Sequence, residues 1–201
     1  MSTSWTASRE TFAEAAAWFV SVASQVGDRW EAPGLGEWDV RALVGHTSRS
    51  LLTVEASLGV PASRVDVGST AAYYRATAAG PEVAQRGRDA GAALGPDPAA
   101  AVAEIAARVP PLLGATDGTE LVTTIAGGVR LSDYLPTRVL ELVVHTLDLA
   151  TALGLPAEPP ARGAAVALGI VADLAVADGR AAPLLLAATG RTGLPPGFTV
   201  L

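Results

Sequence analysis

The sequence predicts an all-α fold: a bundle of three or four long helices with one small β-hairpin and an additional C-terminal helix and tail. Three observations predict it. Half of the 201 residues are hydrophobic while only 5% are aromatic, and this alanine-rich composition favours helices over strands. Apolar residues recur at the helical period in several long stretches. Glycine and proline lie between these stretches, where they end helices.

The first two helices are predicted from their caps and their apolar faces. The first covers residues 8–26, with Ser8 as its N-cap. Residues 27–37 are rich in glycine and contain a proline, so we expect a loop there. The second helix covers residues 39–59, with Asp39 as its N-cap.

The middle of the chain gives a weaker pattern. Residues 60–80 are mixed and predict no element, and a short helix is expected at about 81–93. The next main helix covers residues 97–114, with Asp97 as its N-cap. Pro110–Pro111 should kink or end this helix, because proline lacks the backbone N–H that an interior position needs.

The second half of the chain predicts a hairpin followed by two helices. Two β-branched runs around Gly127–Gly128 predict a β-hairpin over residues 120–131. The following helix should begin with Ser132 as its N-cap, which places Pro136 in the first turn. A further helix is expected at about 161–177.

These elements predict one domain over residues 1–201. The bundle would cover about 8–155, and a C-terminal extension would cover about 156–201. The long connection over residues 60–96 argues against a plain up-down-up-down order.

Composition excludes several classes of protein. The formal net charge is −6, and all 14 basic residues are scattered arginines, so nucleic-acid binding is not expected. The sequence has no cysteine, so any thiol chemistry needs a thiol from a small molecule. The first residues show no signal-peptide pattern, and no apolar run is long enough to cross a membrane. We therefore expect a cytoplasmic protein without membrane association.

A polar stripe interrupts the apolar helix that follows the hairpin. Arg138, Glu141, His145 and Asp148 are spaced by three, four and three residues, which places them on one helical face. The other histidine, His46, lies at the edge of an apolar face on an earlier helix. Two imidazoles and one carboxylate from facing helices predict a metal site with an open position, as in catalytic zinc sites. Arg138 and Asp148 would then orient a ligand or neutralise charge around it.

The same residues have a simpler interpretation. Each histidine could be a hydrogen-bonded residue at the edge of the core. Arg138 and Glu141 could form a surface ion pair, and Asp148 could be exposed to solvent.

Two segments resemble a known family. The segment GLGEWDVRALVGHTSRSLL (34–52) resembles the P-G-W-(T/D)-V-R-D-L-V-A-H-L segment of the mycothiol-dependent maleylpyruvate isomerase-like proteins. The segment RVLELVVHTLDLATALGL (138–155) resembles their R-x-x-E-x-x-x-H-x-x-D-L helix, and residues 184–201 resemble the tail of short members. These proteins belong to the DinB-like four-helix bundles, so the resemblance implies that fold.

The resemblance also implies a cofactor and a type of reaction. It implies a divalent metal, usually zinc, bound by His46, Glu141 and His145, with Arg138 and Asp148 at positions that the family usually fills. In the family's best-known activity the thiolate of mycothiol adds to an activated double bond, the bond rotates, and elimination releases the isomer. The isomerases carry a further C-terminal domain that this sequence does not resemble, which favours a thiol transferase or another metal-dependent activity over maleylpyruvate isomerisation.

Three functions therefore stay open. The first is a metal-dependent transferase or isomerase that uses an exogenous thiol such as mycothiol together with a small-molecule substrate. The second is a metal-dependent hydrolase or an iron enzyme on the same scaffold, because two histidines and one carboxylate also suit Fe(II). The third is a non-catalytic bundle with a structural metal. A homodimer is kept as a further expectation.

Overall fold

A computed structural model describes residues 4–77 and 82–201, and helices dominate it. The helices of this part of the chain are α1 (Trp5–Ala23), α2 (Val40–Leu58), α3 (Thr70–Ala76), α4 (Glu82–Ala93), α5 (Pro98–Leu112), α6 (Leu131–Leu153), α7 (Ala161–Ala177) and α8 (Ala181–Ala188). Two antiparallel strand pairs accompany them, β1 (Pro33–Leu35) with β2 (Trp38–Asp39) and β3 (Leu121–Thr124) with β4 (Gly127–Arg130). Among the described residues, no helix is both long and apolar enough to span a membrane. The predicted start of α4, residue 81, lies outside the described residues.

Four helices form a closed bundle. Each of α1, α2, α5 and α6 packs against two of the others, in the order α1–α6–α2–α5 around the core. The remaining helices lie outside this ring, with α4 on α2, α3 on α6 and α7, and α7 on α6 and α1. The predicted mostly helical bundle with a small hairpin is therefore confirmed.

The apolar stripe of α6 forms one wall of the core. Leu135, Leu142 and Leu149 are fully buried there, and they follow one another at helical spacing. Burying each of these side chains stabilises the fold by about 1.5–3 kcal/mol. Phe12 and Phe19 of α1 are also fully buried, as expected for a helix with one apolar face.

Helices α2 and α4 approach each other unusually closely at two glycines. A Cβ atom on Gly45 would lie 2.1 Å from the backbone nitrogen of Gly91. No side chain fits in that space, so a glycine at each position lets the two backbones meet. Gly45 directly precedes His46, so this contact sets the position of the histidine relative to α4.

Helix α1 begins earlier than the sequence predicted. Ser4, not Ser8, is the N-cap, and its hydroxyl accepts a hydrogen bond from the backbone N–H of Ala7. The helix starts earlier because its first turn makes a contact with a distant part of the chain. The indole N–H of Trp5 donates to the carbonyl of Thr116 at 2.8 Å, so Trp5 packs on the bundle and extends the helix.

The predicted start of α6 is also wrong. The helix begins at Leu131, directly after strand β4, so Ser132 lies inside the first turn and does not cap it. Pro136 is then the sixth residue and lies inside the helix, where it leaves the carbonyl of Ser132 without its usual helical donor. The hairpin causes this shift, because its last strand leads directly into the helix without a connecting loop.

Smaller differences occur at the turns. Helix α5 runs through Pro110 and Pro111 and ends at Leu112, so the two prolines occupy its last turn. The hairpin turns at residues 125–126, and the two glycines predicted at its centre belong to β4. The predicted loop 27–37 contains β1 and a short 3-10 turn.

Candidate metal centre

The structure brings the three predicted ligands together. His46 lies on α2, and Glu141 and His145 lie one turn apart on α6, on the facing side of the bundle. One potential ligand atom from each residue lies within 4.8 Å of the other two, and all three side chains are half-buried. The imidazole rings of His46 and His145 meet edge to face, with 4.8 Å between their centroids. These three residues are called the HEH cluster below.

His145 is oriented by two carboxylates. Its Nδ1 lies 3.0 Å from Oδ2 of Asp148, and its Nε2 lies 3.3 Å from Oε2 of Glu141. Burial disfavours the charged ring, but the hydrogen bonds that the ring donates to Asp148 and Glu141 outweigh this effect and raise the pKa of His145 to about 9. If Asp148 accepts the Nδ1 proton, the lone pair of the neutral ring is left on Nε2, which is the side that faces Glu141.

Glu141 is held by a tyrosine from α3. The hydroxyl of Tyr74 lies 3.0 Å from Oε1 of Glu141, and the carbonyl of Thr137 is its alternative acceptor at 3.0 Å. Burial raises the pKa of Tyr74, as does the Glu141 charge, so the hydroxyl keeps its proton and can donate. Burial disfavours the ionised form of Glu141, but the His145 hydrogen bond and the Arg138 charge lower its pKa to about 2. The carboxylate is therefore ionised at neutral pH.

His46 has the properties of a neutral ligand. Burial, and then the charge of His145, lower the pKa of His46 to about 4. Its Nδ1 is buried and has no hydrogen-bond partner among residues 4–77 and 82–201. The ring of Trp38 covers the imidazole, with 4.5 Å between the centroids. A neutral imidazole with a buried, unsatisfied nitrogen and an ionised carboxylate are donors that fit a divalent cation.

Arg138 lies deeper than a surface ion pair would allow. Its residue is only 9% exposed, and its guanidinium lies over the rings of Tyr73 and Tyr134 at 5.2 and 5.0 Å from their centroids. Its Nε donates to the hydroxyl of Thr137 at 2.8 Å. No carboxylate lies within ion-pair distance of it in the described part of the chain, so Arg138 acts on Glu141 through its charge alone.

The HEH cluster lies in the wall of a large cavity of about 1010 Å³. Helices α2, α3, α4, α6 and α7 contribute to its lining, as do the hairpin turn and the last two residues. This volume is at the upper end of the range typical of small-molecule sites. The arrangement leaves room beside the cluster for more than one small molecule.

The sequence did not indicate several residues of this site. Trp38 and Arg49 lie in the segment that resembles the family, but neither belongs to a spacing pattern. Tyr73 and Tyr74 lie in the stretch that predicted no element, and Tyr134 lies in the helix predicted after the hairpin but outside its apolar stripe. Only the family-like segment, which contains both Trp38 and Arg49, carried a signal that could have found any of them.

Comparison with known proteins identifies the family. No curated protein and no solved structure matches the chain. The family model described as "Mycothiol maleylpyruvate isomerase N-terminal domain" matches residues 12–150, more than two thirds of the sequence, and this range contains the whole HEH cluster. The chain therefore belongs to the mycothiol maleylpyruvate isomerase N-terminal domain family.

Proposed function

We propose that this protein binds one divalent metal ion, zinc, through His46, Glu141 and His145, and uses it with an exogenous thiol in a transferase or isomerase reaction. The observation that carries the proposal is the convergence of three ligand atoms within 4.8 Å in the wall of a cavity large enough for substrates. A metal held there would lower the pKa of a thiol beside it, so that the nucleophilic thiolate is present at neutral pH.

The ligand count supports a catalytic role over a structural one. Catalytic zinc sites use three protein ligands, and structural sites are closed by four. Among the described residues, no cysteine or further carboxylate joins the HEH cluster as a fourth ligand. Asp148, the nearest further carboxylate on the same helix face, is engaged with Nδ1 of His145.

The residues around the cluster have separate tasks in this proposal. Asp148 holds the ring of His145 so that Nε2 points at the cluster, and Tyr74 holds one oxygen of Glu141. The ring of Trp38 packs against the imidazole of His46 and limits its movement. The sequence supplies no cysteine, so the thiol comes from a small molecule, and the family match supports mycothiol as that molecule.

Metal binding is tested by thermal unfolding with and without zinc. Zinc at 100 times its Kd should stabilise the wild type by about 2.7 kcal/mol, which raises Tm by roughly 5–10 °C for a chain of this size. His46→Ala should abolish the increase, because it removes the only ligand that α2 supplies. Glu55→Gln, an acidic residue of α2 outside the cluster, is the matched control and should keep the increase. Equal shifts in His46→Ala and Glu55→Gln would show that the cluster is not the site.

Turnover separates the three candidate functions. Consumption of a general electrophile such as 1-chloro-2,4-dinitrobenzene should require both zinc and mycothiol, and His46→Ala should abolish it. Metal-dependent hydrolysis without a thiol would assign the chemistry to the hydrolase alternative, and elemental analysis that finds iron would assign the iron alternative. Stoichiometric metal with no turnover under any condition would favour a binding bundle.

A further inference from the structure

The charge of the cavity is opposite to that of the protein. The sequence carries a formal net charge of −6, yet four arginines line the cavity against two acidic residues. These residues are Arg49, Arg75, Arg86, Arg138, Glu141 and Asp178. One of the two acids, Glu141, is a metal-ligand candidate, and a bound divalent cation would add further positive charge.

Two of the four arginines already have acidic partners. Arg75 of α3 lies 2.6 Å from Asp178, and Arg86 of α4 lies 3.4 Å from Glu82. Both pairs join side chains that are partly or largely exposed. In each pair the carboxylate offsets part of the charge of its arginine.

Arg49 and Arg138 have no such partner. No carboxylate lies within ion-pair distance of either guanidinium among residues 4–77 and 82–201, and residues 1–3 and 78–81 contain no acidic residue. Arg138 is nine-tenths buried, and only its Nε donates a hydrogen bond, to Thr137. Its two terminal nitrogens are not fully buried, although they have no hydrogen-bond partner among the described residues. Because Arg138 lines the cavity, these nitrogens reach it.

The two guanidinium groups belong to one positive region. Burial and the charges of Arg86 and Arg138 lower the pKa of Arg49. Arg49 lies one turn after His46 on α2, and Arg138 lies one turn before Glu141 on α6. The HEH cluster and this pair of arginines therefore share the same cavity wall, with the two helices supplying one arginine each.

We propose that Arg49 and Arg138 form an anion-binding site beside the HEH cluster, and that the second substrate carries a carboxylate or phosphate group held there. Arg138 is balanced only through space, by the charge of Glu141, so an incoming oxyanion would be its first direct charged partner and would accept charge-assisted hydrogen bonds from it. Tyr73 and Tyr134 stack on Arg138 and keep its guanidinium plane fixed, so the donors are oriented before the ligand arrives. The anion anchors one end of the substrate and leaves its other end toward the cluster.

This inference names the chemistry of the second substrate and so rests on the proposed function, but it is tested without metal or thiol. Binding of butyrate, of inorganic phosphate and of the neutral analogue butyramide is measured by ligand-observed NMR on chelator-treated protein at pH 7. Butyrate or phosphate should bind, and butyramide should bind at least about tenfold more weakly, because it lacks the charge. Tighter binding of butyrate assigns a carboxylate substrate, and tighter binding of phosphate assigns a phosphate ester.

Variants decide whether these two arginines are the site. Arg49→Gln and Arg138→Gln should each weaken binding of the preferred anion by about tenfold or more. Arg88 of α4 pairs with the exposed Glu37 and does not line the cavity. Arg88→Gln is therefore the matched control and should bind the anion like wild type. If Arg138→Gln does not fold, the half-exposed Arg49 decides alone. Butyramide binding as tightly as butyrate, no binding of either anion, or equal binding by Arg49→Gln and Arg88→Gln would each overturn the proposal, while zinc stabilisation tests the proposed function separately.

Discussion

Zinc affinity should change with pH in a way that depends on the unequal environments of the two histidines. Metal binding requires neutral imidazoles, so each protonated histidine must lose a proton. His46, with a pKa of about 4, is already neutral at pH 7. His145, with a pKa of about 9, is still protonated and must release one proton for each metal bound. Glu141, with a pKa of about 2, is ionised throughout.

One proton per metal fixes the slope. Between pH 6.5 and 8.5 the apparent zinc affinity should rise about tenfold per pH unit, about 100-fold in total, which corresponds to about 2.7 kcal/mol. Two ordinary histidines near pKa 6.5 would give no further rise above about pH 7.5. Competition against a chelator of known pH dependence measures the affinity, and calorimetry in buffers of different ionisation enthalpy counts the protons. A flat profile above pH 7.5, or release of two protons at pH 7, would refute the assigned environments.

Asp148→Asn tests the cause of the shift. The hydrogen bond that His145 donates to Asp148 is the largest factor that raises the pKa of His145, so the variant should reach its maximum zinc affinity at a lower pH. That maximum should itself be about 10–100-fold lower, because the ring is less firmly oriented. Without metal, the raised pKa of His145 affects the stability of the fold, and this effect has the opposite dependence on pH. A raised pKa stabilises the fold below pH 6.5, and this stabilisation is lost as the pH rises through about 9. An Asp148→Asn profile identical to that of wild type would contradict the role given to this carboxylate.

Two further predictions concern the tyrosine and the close helix contact. Tyr74→Phe removes the hydroxyl that donates to Oε1 of Glu141, so it should lower zinc affinity about 10–100-fold with little change in Tm. The same chelator competition measures the affinity. Unchanged affinity would show that the Tyr74 hydroxyl donates to the carbonyl of Thr137 instead. Gly45→Ala forces a Cβ against the backbone of Gly91 and should destabilise the fold by about 1–3 kcal/mol or more, measured by urea unfolding. Gly169→Ala is the control, because this position of α7 is exposed and an added Cβ would meet no atom within 4 Å; it should instead stabilise the fold by up to about 1 kcal/mol. Equal effects of the two substitutions would show that α2 and α4 do not meet so closely.

Local signals in the sequence were enough for several elements. Asp39 and Asp97 each accept a backbone N–H three residues ahead, as their positions predicted, because an N-cap is a contact within one turn. Helix α7 covers 161–177 as expected, and the hairpin falls within the predicted 120–131. In each case the determining contacts lie within a few residues along the chain.

The errors occur where distant residues decide the local structure. Trp5 extends α1 through a hydrogen bond to Thr116, more than a hundred residues away. The start of α6 depends on β4 leading directly into it, which no capping pattern records. Helix α3, which supplies Tyr74, has only 7 residues, so it is too short to show a helical period, and it packs against α6 and α7.

The sequence by itself determined the helical bundle and, through spacing and the family resemblance, the residues of the HEH cluster. One-turn spacing on α6 already places Glu141 beside His145, because helical geometry is local. Only the tertiary structure decided that α2 faces α6 with His46 at the same height, that Tyr74 reaches Glu141, and that Arg49 and Arg138 stand without partners beside the cluster. The physical reason is that the ionisation, burial and ion pairing of a side chain depend on every group around it, and here those groups come from five helices.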